Sequence, residues 1–299
     1  MEPRQRPLLA LGVRLVGAMA LATMLMMVKL ASERGLALPE AIFWRQLVPT
    51  LLIYGWLAVR GRTGSLATRR FPVHLMRAVT GLAGMYLNLG VVLLLPLAEA
   101  TTLAFTAPIF AVILAAFFLK ERVGPIRWLA VLLGLAGVAI IAGPDRGAIP
   151  LAGLAVGLGA PFMVALISIQ IRDLGRTELP LTIVFWFSAL SIPFAAIPAW
   201  LAATPHDAGT WLLILGIGLT GTLGQIMLTS ALRLGNVSSV IVMDYSQFGW
   251  AMLWGWLVFD QLPPTATWIG APVIIAAGLI IVWREHRLHL EKAAGAAGS

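Results

Sequence analysis

The run GLALPEAIFWR at residues 35–45 returns, altered, as GRTELPLTIVFWF at residues 175–187. Each opens on glycine, passes through Leu-Pro and enters an apolar stretch holding Phe-Trp, with Trp44 and Trp186 standing 142 residues apart. A motif written twice poses the question of whether the chain is two related halves. The sequence around it supplies the answer.

Sixty per cent of the 299 residues are apolar and 11% are charged, with a mean hydropathy of +0.92. That balance lies outside the range of soluble domains of this length and describes a chain that lives in lipid. The opening MEPRQRP gives a basic flank, and the apolar stretch behind it runs past Leu30 without a small-residue cleavage site, so it reads as a retained first span. Cysteine is absent, which excludes disulfides and thiolate metal sites. The formal charge of +8 does not point to nucleic acid, because the basic residues cluster in short segments between apolar runs, where membrane orientation explains them.

A crossing of the hydrocarbon core takes about 20 apolar residues. Reading between polar breaks such as GRTGSLATRR, RDLGRTE and TPHDAG gives ten candidates, near 8–31, 39–60, 73–96, 98–119, 125–143, 150–171, 180–203, 209–232, 236–258 and 265–283. The runs show no period-two alternation, so they are helices and not barrel strands. With the N-terminus inside, 17 of the 21 Lys and Arg fall on the cytoplasmic side, Arg14, Arg77 and Arg127 among them. Lys29, Arg34, Arg45 and Arg146 fall toward the other. This asymmetry predicts a multi-pass inner-membrane protein with both termini in the cytoplasm.

The repeated motif opens the second and seventh spans, and further echoes follow in order. TGLAG at Thr80 answers to TGTLG at Thr220, LAEATT at Leu97 to LGNVSS at Leu234, and Glu121 to Asp260, with an offset between 137 and 142. The chain therefore reads as two five-helix repeats, 1–147 and 148–286, followed by a polar cytoplasmic tail at 287–299. Because five is odd, the second repeat enters the membrane from the opposite face. The fold class is an all-α polytopic membrane protein of ten helices in two inverted repeats.

This organisation resembles the drug/metabolite transporter superfamily and, within it, the EamA-type exporters. The likeness is carried by LPEAIFWR with Arg45 and by LAEATTLAFTAPIFAVILAAFFLKERV, where Pro108 precedes Glu121 by 13 residues. The second half departs from that pattern: 13 residues before Asp260 stands Gln247, and Phe187 takes the place corresponding to Arg45. In overall appearance the chain resembles the YddG-type exporters of aromatic amino acids. The resemblance implies a central cavity lined by the first, third, fourth, sixth, eighth and ninth spans, with substrate bound between the halves.

Polar residues in lipid are costly, so those in the inner spans are the first binding candidates. The ninth span carries Asp244, Tyr245, Ser246 and Gln247 in succession. Asp244 is a partner for a substrate ammonium or a proton carrier, set against a polar break packed between helices. In the third span Tyr86 and Asn88 point about 200° apart, and Tyr86 is the better aromatic platform. Thr106 and Pro108 mark a kink or hinge in the fourth. Gln225 and Thr229 share a face of the eighth, and Met163 of the sixth is a substrate contact or a space filler. Glu99 caps the fourth helix with Thr101 and Thr102 nearby, or closes an outer gate with Lys29 and Arg45. Trp44 and Trp186 read as interfacial anchors.

An enzyme is disfavoured. The four histidines lie at span ends or in loops, and neither HExxH nor GxSxG occurs. A channel would need a filter motif or charged rings. No ATP-binding motif, cofactor motif or metal cluster is present in the sequence. The reading is an alternating-access exporter of small organic metabolites, amino acids with an aromatic or apolar part first among them. The alternatives are a proton-coupled multidrug or cation exporter and a polytopic membrane enzyme. Few deep charges are expected, which argues against phosphorylated substrates.

Overall fold

The computed structural model describes residues 7–117, 124–142, 150–174, 177–234 and 243–297. It is helical throughout: α1 (Pro7–Glu33), α2 (Leu38–Val59), α3 (Phe71–Leu94), α4 (Leu97–Ala104), α5 (Ala107–Phe117), α6 (Pro125–Ala142), α7 (Leu151–Leu174), α8 (Pro180–Ala202), α9 (Ala208–Leu234), α10 (Ser246–Phe259) and α11 (Thr265–Ala297). No strand occurs among the described residues. With α4 and α5 taken as one interrupted crossing, each of the ten expected spans has its helix. Eight segments are long and apolar enough to cross a membrane by themselves. Of the other two, α7 is continuously apolar over Leu151–Ile167, and the expected ninth span, 236–258, is described only from Met243 onward. Glu121 and the LGNVSS echo also lie mostly or wholly outside them.

The Leu-Pro of the repeated motif is a helix start. Proline is at home in a first turn, where its missing N–H would have no intrahelical acceptor. Ala37 before α2 and Leu179 before α8 take up nearly the same extended conformation, φ −71° with ψ 143° and φ −73° with ψ 145°. The motif is thus repeated in backbone as well as in letters. Pro108 acts similarly within the fourth span. It is the second residue of α5, and α4 stops just before it, with Phe105 N–H bonding to Thr102 O and Thr106 N–H to Leu103 O in a tightened last turn. At the start of α9, Asp207 accepts hydrogen bonds from the hydroxyl and the backbone N–H of Thr210. These bonds hold its carboxyl below the usual range, the hydroxyl contributing most.

Packing follows a reciprocal scheme. α1 lies against α9 as α7 lies against α3, α1 touches α10 as α7 touches α4 and α5, and α2 pairs with α8, α4 with α10 and α6 with α11. The correspondence reaches single residues. A Cβ on Gly81 would strike the Phe187 ring, and one on Gly221 would press on Arg45. Likewise Gly84 is filled by Met163, and Gly224 by Leu21. Gly81 and Gly84 correspond to Gly221 and Gly224 at an offset of 140, while Arg45 and Leu21 correspond to Phe187 and Met163 at 142. These contacts therefore have counterparts on the other side of the bundle.

The structure adds detail to two expectations. Arg14, Arg77 and Arg127, counted with the basic flanks, are 3%, 5% and 9% exposed. Each sits within the first two turns of its helix on the face turned to its neighbours, which a count of loop charges cannot register. The residues expected to form a polar tail continue α11 as helix to Ala297, beyond the apolar part that ends at Arg284.

Candidate functional site

Arg14 stands seven residues into α1, about 10 Å along the helix at 1.5 Å per residue. Its Nε donates to Asp244 Oδ1 across 230 residues of sequence, joining the first span to the ninth. The guanidinium is buried and Asp244 is half-buried, with 35% of its side-chain surface exposed. A lone carboxylate at this depth costs several kcal/mol, and the arginine accounts for its presence.

Met243, Asp244 and Tyr245 form a 3-10 turn ahead of α10 instead of a regular helical turn. The Ser246 hydroxyl donates to Met243 O at 2.6 Å, which spends it on the backbone. Tyr245 meets Phe105 edge to face at 4.9 Å, at the α4–α5 break, and its hydroxyl abuts Gly278 of α11. Gln247 is half-buried at the start of α10. The ninth-span cluster therefore meets the end of α4 through the Tyr245–Phe105 contact.

A second cluster lies between α1, α2, α3, α8 and α9. Arg45 is 8% exposed; its Nη1 donates to Gln46 Oε1 at 2.9 Å and its stem lies against Gly221. Arg77 is stacked over Phe187, 4.3 Å from the ring centroid, and is within electrostatic reach of Arg45. Arg45 thus bonds to Gln46 within its own helix, beside the buried Arg77, which lies outside the binding candidates read from the sequence.

The remaining candidates divide. Tyr86 is half-buried against the core with its hydroxyl enclosed, and Asn88 and Gln225 are half-buried. Met163 fills the space at Gly84, where α7 approaches α3. Thr106 is buried and donates to Leu103 O at 2.7 Å, so it stabilises the α4–α5 break. Thr101 and Thr102 donate to Leu97 O and Ala98 O, four residues back, and do not cap. Glu99 lies in the first turn of α4, within electrostatic reach of Lys29. Lys29 Nζ donates to Leu95 O at 3.1 Å and to Gln261 Oε1 at 3.5 Å, tying α1 to two loops. Trp186 donates to Leu66 O at 2.8 Å, and Trp44 packs edge to face on Trp211. No group of acidic or histidine side chains that could hold a metal occurs among the described residues.

The expectation of few deep charges does not survive. Arg14, Arg45 and Arg77 are buried among these helices, as are the carboxylates of Glu40 and Glu99, with Asp244 half-buried. The objection to phosphorylated substrates falls with it.

A ten-span helical bundle with reciprocal halves and polar clusters at their junction defines a multi-pass membrane protein of the solute-carrier kind. The model of the EamA-like transporter family matches residues 8–143 and again 151–283, and the chain belongs to that family, within the drug/metabolite transporter superfamily. It is 31% identical over 250 residues to a riboflavin transporter of Vibrio cholerae, covering 82% of this chain and 83% of the relative. It is also 31% identical over 273 residues to a pseudopaline exporter of Pseudomonas aeruginosa, covering 90% and 95%. An S-adenosylmethionine uptake transporter of Rickettsia bellii is 25% identical over 257 residues. A crystal structure sharing 18% identity superposes over 93% of this chain and 98% of its own, with a TM-score of 0.63, a likeness of fold alone. The chain is a small-molecule transporter.

Proposed function

We infer that this protein is an inner-membrane carrier that exports a small organic metabolite, an amino acid or a related compound, by alternating access. In this reading both termini are cytoplasmic, and the units matched by the family model rock about a site between them. The observation that carries it is the Arg14–Asp244 pair, which links the first span to the ninth through a buried guanidinium and a half-buried carboxylate. A contact of this kind is placed to be remade as solute enters. Tyr86 and Tyr245, whose enclosed hydroxyls have no hydrogen-bond partner among the described residues, supply aromatic walls with polar tips. Residues tie the bundle at its two ends: Arg70 pairs with Asp173 beside a Thr68–Glu178 hydrogen bond, and His206 meets Glu40 at 3.1 Å. These ties suit latches that open alternately. The relatives transport unlike solutes, which fits a shared scaffold whose central side chains select the cargo. A cation is the less suitable cargo, since Arg45 and Arg77 put two positive charges in one buried cluster.

The test is counterflow in proteoliposomes loaded with unlabelled amino acids and aromatic metabolites. Transient accumulation of one labelled compound is expected. Flux that persists without any counter-solute and does not saturate would indicate a channel, and chemical conversion of the label would indicate an enzyme.

A further inference from the structure

The second cluster presents an imbalance that the fold does not resolve internally. Arg45 and Arg77 are both more than nine-tenths buried, and neither has an acidic partner among the described residues. Arg45 Nε, Arg77 Nε and Nη1, and the neighbouring Gln46 Nε2 are buried donors without a hydrogen-bond partner there. The Arg45–Gln46 bond and the stacking of Arg77 on Phe187 give only partial compensation. A buried guanidinium left with free N–H groups costs several kcal/mol, and two within electrostatic reach repel one another as well. Such an arrangement persists when something else gains by it.

The reciprocal scaffold sharpens the point. The position related to Arg45 is Phe187, and the position related to Arg77, at the offset of 140, is Ile217. Ile217 is fully buried. Packing alone is therefore satisfied at both related places by apolar side chains. The first half adds two positive charges that the architecture does not require. They enter from opposite ends of antiparallel helices, Arg45 about 10 Å into α2 and Arg77 about 9 Å into α3, and their guanidinium groups come within electrostatic reach of each other.

The geometry points to an anion-recognition site at which Arg45 and Arg77, assisted by Gln46, hold an oxyanion of the transported solute. The occupant is a carboxylate or phosphate group, whose two or more acceptor oxygens match the forked donors of guanidinium. Phe187 fixes the Arg77 plane by stacking, and the missing side chain of Gly81 makes room for it. The inference rests on the carrier reading for its cargo, but the site itself is testable by binding alone.

The experiment uses the full chain in lipid nanodiscs and follows thermal unfolding with four probes: inorganic phosphate, benzoate, phenyl phosphate and the uncharged benzamide. Stabilisation by at least one anionic probe and none by benzamide is expected. Benzoate against the two phosphates tells carboxylate from phosphate preference. In Arg45→Gln and Arg77→Gln the apparent affinity of the effective probe should fall about tenfold or more, as loss of a charged hydrogen bond entails. The unliganded variants should unfold at the wild-type temperature or above it, because an uncompensated charge has been removed. Purely structural arginines would give the reverse, variants that melt lower and a wild type indifferent to all four probes, and that result overturns the proposal. Anion-dependent stabilisation without counterflow of any solute would keep the site and defeat the carrier reading. Counterflow of a solute at equal rates in wild type and both variants would keep the carrier and defeat the site.

Discussion

At the scale of single residues, what a sequence discloses depends on contrast with its surroundings. Asp244 and Tyr245 stood out because they interrupt an apolar run, and they do sit at a junction of spans. Arg14, Arg45 and Arg77 lie nearer span ends, where arginine is expected as a flank, and only the rotation of the helix decides whether it faces headgroups or neighbours. The Arg14–Asp244 pair yields a definite expectation. Asp244→Asn or Arg14→Met alone removes one partner of a pair whose cationic side is enclosed, a change that costs about 3–5 kcal/mol in fully buried cases. The partial exposure of the Asp244 side chain puts this pair at the low end. Replacing both, Arg14→Met with Asp244→Leu, restores apolar packing, so unfolding in detergent is expected to return close to the wild-type temperature while counterflow does not. Retained transport in a well-folded double variant would remove the pair from the mechanism. Unchanged transport by Asp244→Asn across a pH series would remove Asp244 as a proton carrier.

At the scale of elements, the helix starts were readable because proline fixes them chemically: Pro39 and Pro180 open α2 and α8, and Pro108 divides the fourth span. The 3-10 turn at Met243–Tyr245 was not readable, since no proline or glycine in that stretch signals it. Close helix contacts were half visible. Glycines in spans permit approach, but which of them lie at a crossing is decided by the partner helix. Gly270 and Gly137 are such a pair: a Cβ on Gly270 would lie 2.8 Å from Gly137 O, and one on Gly137 would lie 3.1 Å from Gly270 O. Gly55, in the exposed face of α2, meets nothing within 4 Å. Gly270→Leu is therefore expected to push α11 from α6 and to lower stability by about 1–3 kcal/mol, the usual range for overpacking. Gly55→Leu should leave it unchanged. Equal melting temperatures for the two variants would show that α6 and α11 do not cross as closely as described.

At the scale of the whole molecule, the orientation in the membrane follows from charge, and burial changes the count without changing its sign. Of the 17 basic residues assigned to the cytoplasmic side, Arg14, Arg77 and Arg127 are buried, leaving 14. Of the four on the other side Arg45 is buried, leaving 3. On that count the bias that orients short-looped membrane proteins keeps its sign, and in the proposed topology both ends lie on one face. The absence of cysteine makes this directly measurable, because single cysteines can be introduced without background. Thr63, exposed in the α2–α3 turn, is expected on the cytoplasmic face together with the C-terminal Ser299. Thr204, exposed between α8 and α9, is expected on the opposite face. In intact cells a membrane-impermeant maleimide should label Thr204→Cys and spare Thr63→Cys and Ser299→Cys; after permeabilisation it should label all three. Labelling of Thr63→Cys and Ser299→Cys alone in intact cells would invert the molecule, and with it the direction in which Asp244 and the paired arginines meet their solute. Labelling that parts Thr63 from Ser299 would break the ten-span count, and the reciprocal contacts of Gly81 with Phe187 and of Gly221 with Arg45 would then need another explanation.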